Sequence, residues 1–284
     1  MTNINIEVVN LVSKFLSFFD KAELVKGMDD KWKLWQSEYN FAAIPPTEEG
    51  LAKAKQDFIG VYNQYYKYED RIRRFQYDEV MIKQCILQLQ KELLFKSPFS
   101  IKIVYFVGFF ENNPFVTTDQ TGELCLCLPI ENDMNKTIEQ IRLYHELSHI
   151  FHSKISNINF TYQRSLGFLI MQEGIALQMS RKMVPGCRDD SYISHQLGWY
   201  DDIKKYQLPI LIGIEEDIWK NNPEVLYKYT MGQGNTGHER EAYYVGWIVV
   251  NLLLKEGYTF LELMTLDEQQ SNLLVKQFIE KTTA

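Results

Sequence analysis

The sequence predicts an α+β protein that is mostly α. Three observations carry this. Glycine and proline are scarce, at 15 and 8 of 284 residues, against average usage of about 7% and 5%, and few chain breakers favour helices. Apolar residues recur at helical spacing over most of the chain. Residues 101–129 differ: short β-rich runs alternate with turn clusters, so a small sheet is expected there.

Residues 5–39 read as amphipathic helix broken around Gly27, because Val8, Val9, Leu11, Val12, Phe15, Leu16 and Phe19 recur at helical spacing. Pro45-Pro46 stops that region, and Thr47 with Glu48 and Glu49 reads as a new N-cap and first turn. Residues 47–74 and 76–96 then read as two long helices, the first ending in Arg71, Arg73 and Arg74. Tyr62, Tyr65, Tyr66, Tyr68 and Tyr77 make this stretch aromatic. Aromatic and basic residues together can stack on nucleic acid. Acidic neighbours dilute the charge here, so packing between helices is the reading adopted. Ser97-Pro98 ends the helical section. The expected organisation is an N-terminal helical region, 1–97, followed by a second domain, 98–284.

In that domain Ile101 to Val107 reads as a strand, and Glu111-Asn112-Asn113-Pro114 and Asp119 to Gly122 as turns. Glu123 to Pro129 reads as another strand whose proline marks an end or an edge. As an edge it could cradle an extended peptide by strand addition. The expected sheet is small and antiparallel. Helices return over 137–154, 164–183 and 240–255. The stretch 186–238 is polar and irregular, with helical pieces near 213–220 and 223–230.

Hydrophobic residues make up 45% of the chain, enough for a sizeable core, and the formal charge is −7. An acidic protein repels phosphate backbones and anionic lipid, so neither nucleic acid nor a membrane is expected as a partner. No run reaches the 18 or so apolar residues of a membrane span. The N-terminus lacks the basic region of a signal peptide, and a cytoplasmic location is the expectation. Cys85, Cys125, Cys127 and Cys187 form no C-x-x-C pair and read as small buried apolar residues in a reducing compartment.

Only five histidines are present, and three of them, His145, His149 and His152, fall within eight residues. Tyr144-His145-Glu146-Leu147-Ser148-His149 contains H-E-x-x-H. Thr137, three residues before Gln140, is a capping-box signal for the helix that would hold it. Residues four apart share a helix face, so His145 and His149 can present two imidazoles to one zinc ion. Glu146, about 100° further round the helix, can serve as general base towards a water at the metal. A catalytic zinc needs a third protein ligand. Six residues after His149 stands Ile155, which removes the option of a third histidine there. Glu173 fits instead. It sits in an otherwise apolar helical run with Leu166, Phe168, Ile170, Met171, Ile175 and Leu177, where a lone carboxylate is costly unless paired or metal-bound. Gly174 and Ala176 are small and let this helix pack closely against a neighbour. His152 reads as a support to the metal or as a favourable charge at the helix end, and His195 as an ordinary histidine.

H-E-x-x-H followed 24 residues later by Glu173-Gly174-Ile175-Ala176 resembles the gluzincin metallopeptidases. Gly108-Phe-Phe-Glu111-Asn112 is a faint counterpart of the G-x-M-E-N element of gluzincin aminopeptidases, which is otherwise missing. Tyr243-Tyr244-Val245-Gly246-Trp247 extends the resemblance to the YjaZ-like group of bacterial zinc-dependent proteases, over roughly residues 100–265. The resemblance implies a gluzincin-like catalytic domain with an active-site helix pair, zinc on His145, His149 and Glu173, and Glu146 as base. It implies a peptide or protein substrate. Related enzymes steady the oxyanion with a downstream Tyr or His; the candidates here are Tyr244, then Tyr243, His238 and Arg240. Two other readings stay open: a zinc hydrolase acting on a non-peptide amide or ester, and a regulatory protein carrying a vestigial zinc site.

Overall fold

A computed structural model describes residues 4–42, 48–110, 114–119, 121–131, 135–157 and 164–284. The expected breaker Pro45-Pro46, the cap Thr47, and Glu111 to Asn113 of the expected turn lie outside the described residues. The chain is mostly helical with one four-stranded sheet, as α+β requires. It divides into two compact units, 1–83 with 97–135, and 84–96 with 136–284. Residues 1–83 of the N-terminal segment share a unit with the sheet, and 84–96 group with the second unit.

The first unit opens on strand β1 (Ile4–Asn10), where helix was expected. Ile4, Ile6 and Val8 are half-buried and alternate with exposed Asn5 and Glu7, a period of two that the helical spacing further on obscures. Asn10 Oδ1 accepts from the Val12 N–H at 3.0 Å and turns the chain into α1 (Val12–Ala22). Helix α2 (Met28–Glu38) follows Gly27, whose φ of 96° suits glycine. The expected helix over 47–74 is two, α3 (Glu48–Val61) and α4 (Gln64–Arg73), and α5 covers Glu79–Glu92. Tyr62 and Tyr65 are buried in a core of rings, as the packing reading expects, while Tyr66 and Tyr77 are exposed. Phe15 meets Tyr65 edge-on at 4.9 Å, and Trp32 stacks on Trp35 at 4.9 Å.

The sheet runs β1, β2 (Phe99–Phe106), β4 (Leu124–Pro129), β3 (Phe115–Thr118). It is mixed, which corrects the antiparallel expectation. β1 and β2 pair in parallel because the intervening helices supply the long crossover that parallel pairing needs. After β2 the chain reverses into β3 and reverses again into β4. β4 inserts between them, parallel to β2 and antiparallel to β3. It is thus paired on both sides and is no edge for strand addition, and Pro129 closes its end opposite Phe106. Cys125 and Cys127 lie on its buried face with Val104 and Phe106. Beyond β2, the Gly108 and Phe110 N–H groups donate to the fully buried Glu131 carboxylate at 3.0 and 3.1 Å.

The second unit is helical. α6 (Lys136–Ser156), α7 (Leu166–Met183) and α12 (Glu241–Lys255) match the three expected helices closely. Between α7 and α12 the irregular stretch holds α8 (Asp190–Ile193), α9 (Trp199–Ile203), α10 (Gln207–Glu215) and α11 (Pro223–Thr230). The piece expected at 213–220 thus starts earlier. Two helices close the chain, α13 (Phe260–Met264) and α14 (Glu268–Thr283), each opened by a capping box: Thr259 with Glu262, and Asp267 with Gln270. No helix among the described residues is long and apolar enough to cross a membrane.

Candidate metal centre

The site rests on how three helices of the second unit meet. α12 and α7 cross where glycine faces glycine: a Cβ on Gly174 would run into the Gly246 carbonyl oxygen, and one on Gly246 into the Ile170 carbonyl oxygen. Gly174 thus lets α7 approach α12, not the histidine-bearing helix. α6 packs against α7 from elsewhere. Glu173, next to the crossing, is left facing α6.

His145 and His149 stand one turn apart on α6, their Nε2 atoms 3.1 Å from each other. Glu173 Oε2 lies 3.3 Å from His145 Nε2 and 3.6 Å from His149 Nε2. Side-chain exposures are 17%, 9% and 16% for His145, His149 and Glu173, so the cluster is enclosed but reachable. Glu173 Oε2 is buried with no hydrogen-bond partner of good geometry, which is costly for an anion. Three electron-pair donors converge with nothing between them. Tetrahedral coordination with bonds of about 2.0–2.2 Å holds ligands about 3.3–3.6 Å apart; the two edges to Glu173, 3.3 and 3.6 Å, fall in that range, and the edge between the histidines, 3.1 Å, is shorter. These residues could hold a metal ion.

The three side chains also act on one another's charge. Burial pushes the His149 imidazole down, but the Glu173 carboxylate outweighs it and leaves the ring above its ordinary value. Burial pushes Glu173 up, and His149 and His145 outweigh that, holding it well below the usual carboxylate range. Glu146, on the next position of α6, is raised: burial dominates, and Glu173 adds to it against His145 and His149.

The four downstream candidates separate. Tyr243, three residues before Gly246, faces Glu173 and Glu146. Its phenol is raised first by burial and then by the Glu173 charge, so it stays protonated. Arg240 Cζ lies 5.1 Å from the centre of the Tyr243 ring, and its charge reaches Glu146. Tyr244, the first choice from sequence, points away: its hydroxyl bonds Gln207 Oε1 at 3.0 Å. His238 sits between Thr236 Oγ1 at 2.8 Å and Asp202 Oδ2 at 3.2 Å, with its ring against Tyr206. Adjacent residues on a helix point about 100° apart, so only the Gly174–Gly246 crossing chooses between the two tyrosines.

Arg240 is held by its loop. Its φ of 60° is left-handed, unusual for a residue with a Cβ. The fully buried Glu241 carboxylate accepts from Asn235 N at 3.1 Å, Thr236 N at 2.8 Å and Thr236 Oγ1 at 2.6 Å, strapping the loop. A Cβ on Gly234 would run into that carboxylate.

His152 is no charge at a helix end, because α6 continues to Ser156. It is buried, both ring nitrogens lack a hydrogen-bond partner, and its ring lies against Phe168. Burial holds it down at about 3, so it is a neutral core residue. His195 pairs with Glu239 at 3.2 Å. Sequence reasoning missed Arg142, which precedes His145 by one helical turn. Helical spacing puts that arginine on the same side of α6 as His145. Compared with family models, with curated proteins and with solved structures, the chain matches none of them.

Proposed function

We propose that the protein is a zinc-dependent hydrolase that cleaves peptide bonds, of the gluzincin type and close to the YjaZ-like proteases. The convergence of His145 Nε2, His149 Nε2 and Glu173 Oε2 within 3.6 Å carries this reading. Zinc held there would polarise a carbonyl oxygen and bring the pKa of a water towards about 7. Glu146 takes a proton from the attacking water on a carboxylate oxygen and passes it to the leaving amine nitrogen. Its raised pKa suits both steps, since a base closer to neutrality also returns the proton readily. Tyr243, kept protonated, donates its phenolic hydrogen to the oxygen that gains charge in the tetrahedral state. Partial exposure of the three ligands leaves substrate a way in.

Metal analysis and a peptide-library cleavage screen, with Glu146→Gln as the control, test this reading. About one zinc per chain and cleavage that the control abolishes are expected. A chain that takes up no zinc after refolding with it, or cleavage undiminished in the control, rejects it.

A further inference from the structure

Arg240, the residue that leads into α12, has φ 60° and ψ 35°. This is left-handed backbone, which residues with a Cβ rarely adopt. It persists only where the surroundings over-determine it, and here the next side chain does so.

Glu241 is the first residue of α12 and is fully buried. Its carboxylate reaches back over the turn that precedes it. One oxygen accepts from Asn235 N at 3.1 Å, and the other from Thr236 N at 2.8 Å and Thr236 Oγ1 at 2.6 Å. Gly234 N donates to His238 O at 2.8 Å and closes the base of the same turn. Trp199 Nε1 donates to Glu239 O at 3.0 Å and holds the turn to α9. An apolar residue would fill the place of Glu241 without the cost of burying a carboxyl. What the carboxyl adds is three fixed bonds to one short segment.

The side chain of the residue so held has a definite neighbour. Arg240 Cζ lies 5.1 Å from the centre of the Tyr243 ring, within the range of a cation–π contact. Tyr243 stands one turn of α12 after Arg240 and one turn before Gly246, where α12 crosses α7 beside Glu173. The crossing fixes the helix at one end of this segment, and the strapped turn fixes the cation at the other.

We infer that Glu241 is a positioning residue: by strapping the turn over 234–240 it keeps Arg240 left-handed with its guanidinium over Tyr243, and so sets where the Tyr243 phenol points. The consequence for turnover rests on the proposed hydrolase activity; the hold on Tyr243 does not.

Fluorine NMR of the full chain separates the two. Fluorotyrosine replaces Tyr243 alone in one sample and Tyr244 alone in another. Arg240→Gln, which takes the cation off the ring, calibrates the response at Tyr243. Glu241→Gln should shift or split the Tyr243 line in the same sense by more than its width, and Thr236→Val, which removes one of the three bonds, by less. The Tyr244 line should stay in place, because its hydroxyl is held by Gln207. In cleavage assays Glu241→Gln should lower kcat by about 10–10²-fold, the cost of a misplaced group, with KM and zinc content unchanged. In a Tyr243→Phe background the same substitution should change kcat less than about twofold, since a residue that acts through the phenol then has nothing to act on. A Tyr243 line that stays in place in both Glu241→Gln and Thr236→Val overturns the inference. So do equal shifts at Tyr243 and Tyr244, which would mean general loosening of α12, and a full further loss of kcat in the Tyr243→Phe background. Thr236→Val decides alone if Glu241→Gln does not fold. A response confined to Tyr243 without cleavage by the unsubstituted protein would keep the positioning role and remove the peptidase reading. Cleavage with an unmoved Tyr243 line would do the opposite.

Discussion

Glu131 in the first unit is fully buried and Glu173 in the second keeps 16% of its side chain exposed, and their carboxylates are met in different ways. Glu131 in the first unit accepts from the N–H groups of Gly108 and Phe110, and so ties the chain after β2 to the chain after β4. Glu173 in the second unit turns Oε2 towards two imidazole nitrogens and has no good hydrogen bond there. Burial raises the pKa of Glu131, whereas the histidines hold Glu173 low. A buried carboxylate satisfied by backbone is architecture. One turned towards two imidazoles is offset by them, and the three side chains together could hold a metal ion.

The comparison can be broken most directly at its chemical end. Glu146→Gln should lower peptide cleavage by about 10²–10⁴-fold while leaving zinc content unchanged; metal analysis beside a cleavage assay reads both, and full activity would remove the base assignment. Glu173→Ala should lose most bound zinc on equilibrium dialysis, whereas Glu131→Ala should keep it. Equal zinc in the two variants would erase the distinction. Glu131→Ala should instead cost stability, about 2–6 kcal/mol for two stranded N–H groups at about 1–3 each. Denaturant unfolding measures this, and a change under 1 kcal/mol would mean that the loop relaxes to water.

Smaller effects sharpen the picture. Gly246→Ala puts a methyl against the Ile170 carbonyl oxygen. It should cost about 1–3 kcal/mol and weaken zinc binding by moving Glu173; wild-type melting together with wild-type zinc affinity would show that the crossing is not tight. The smallest effect is in acid. Folded His152 titrates at about 3 against 6.5 unperturbed, so the unfolded chain takes the proton first as pH falls. The stability tied to the neutral ring is complete above about 6.5 and is lost progressively down to about 3. His152→Leu should flatten the dependence of the melting temperature on pH in that window, and an unchanged slope would reject the assignment.

Much of the centre was legible because it is local. His145, Glu146 and His149 belong to one turn of one helix, and helical spacing alone puts the histidines together. Glu173 stood out as a carboxylate in an apolar run, a mismatch that requires a partner. Arg142 carried the same signal, one turn before His145, and could have been read. β1 was hidden because its alternation is brief and runs into the helical spacing of α1. The parallel pairing of β1 with β2 joins residues about 95 apart, and no local pattern encodes such a pairing.

By itself the sequence determined the mostly helical class, the helices that carry His145, His149 and Glu173, and the choice of these three as a group that could hold a metal ion. Each follows from periodicity or from charge in an apolar setting, which act within a few residues. Only the tertiary structure decided the order of the sheet and the turning of Tyr243 rather than Tyr244 towards Glu173. These depend on where separate elements cross. The crossing of α7 and α12 is set by close packing at Gly174 and Gly246, a steric fact that neither helix contains alone.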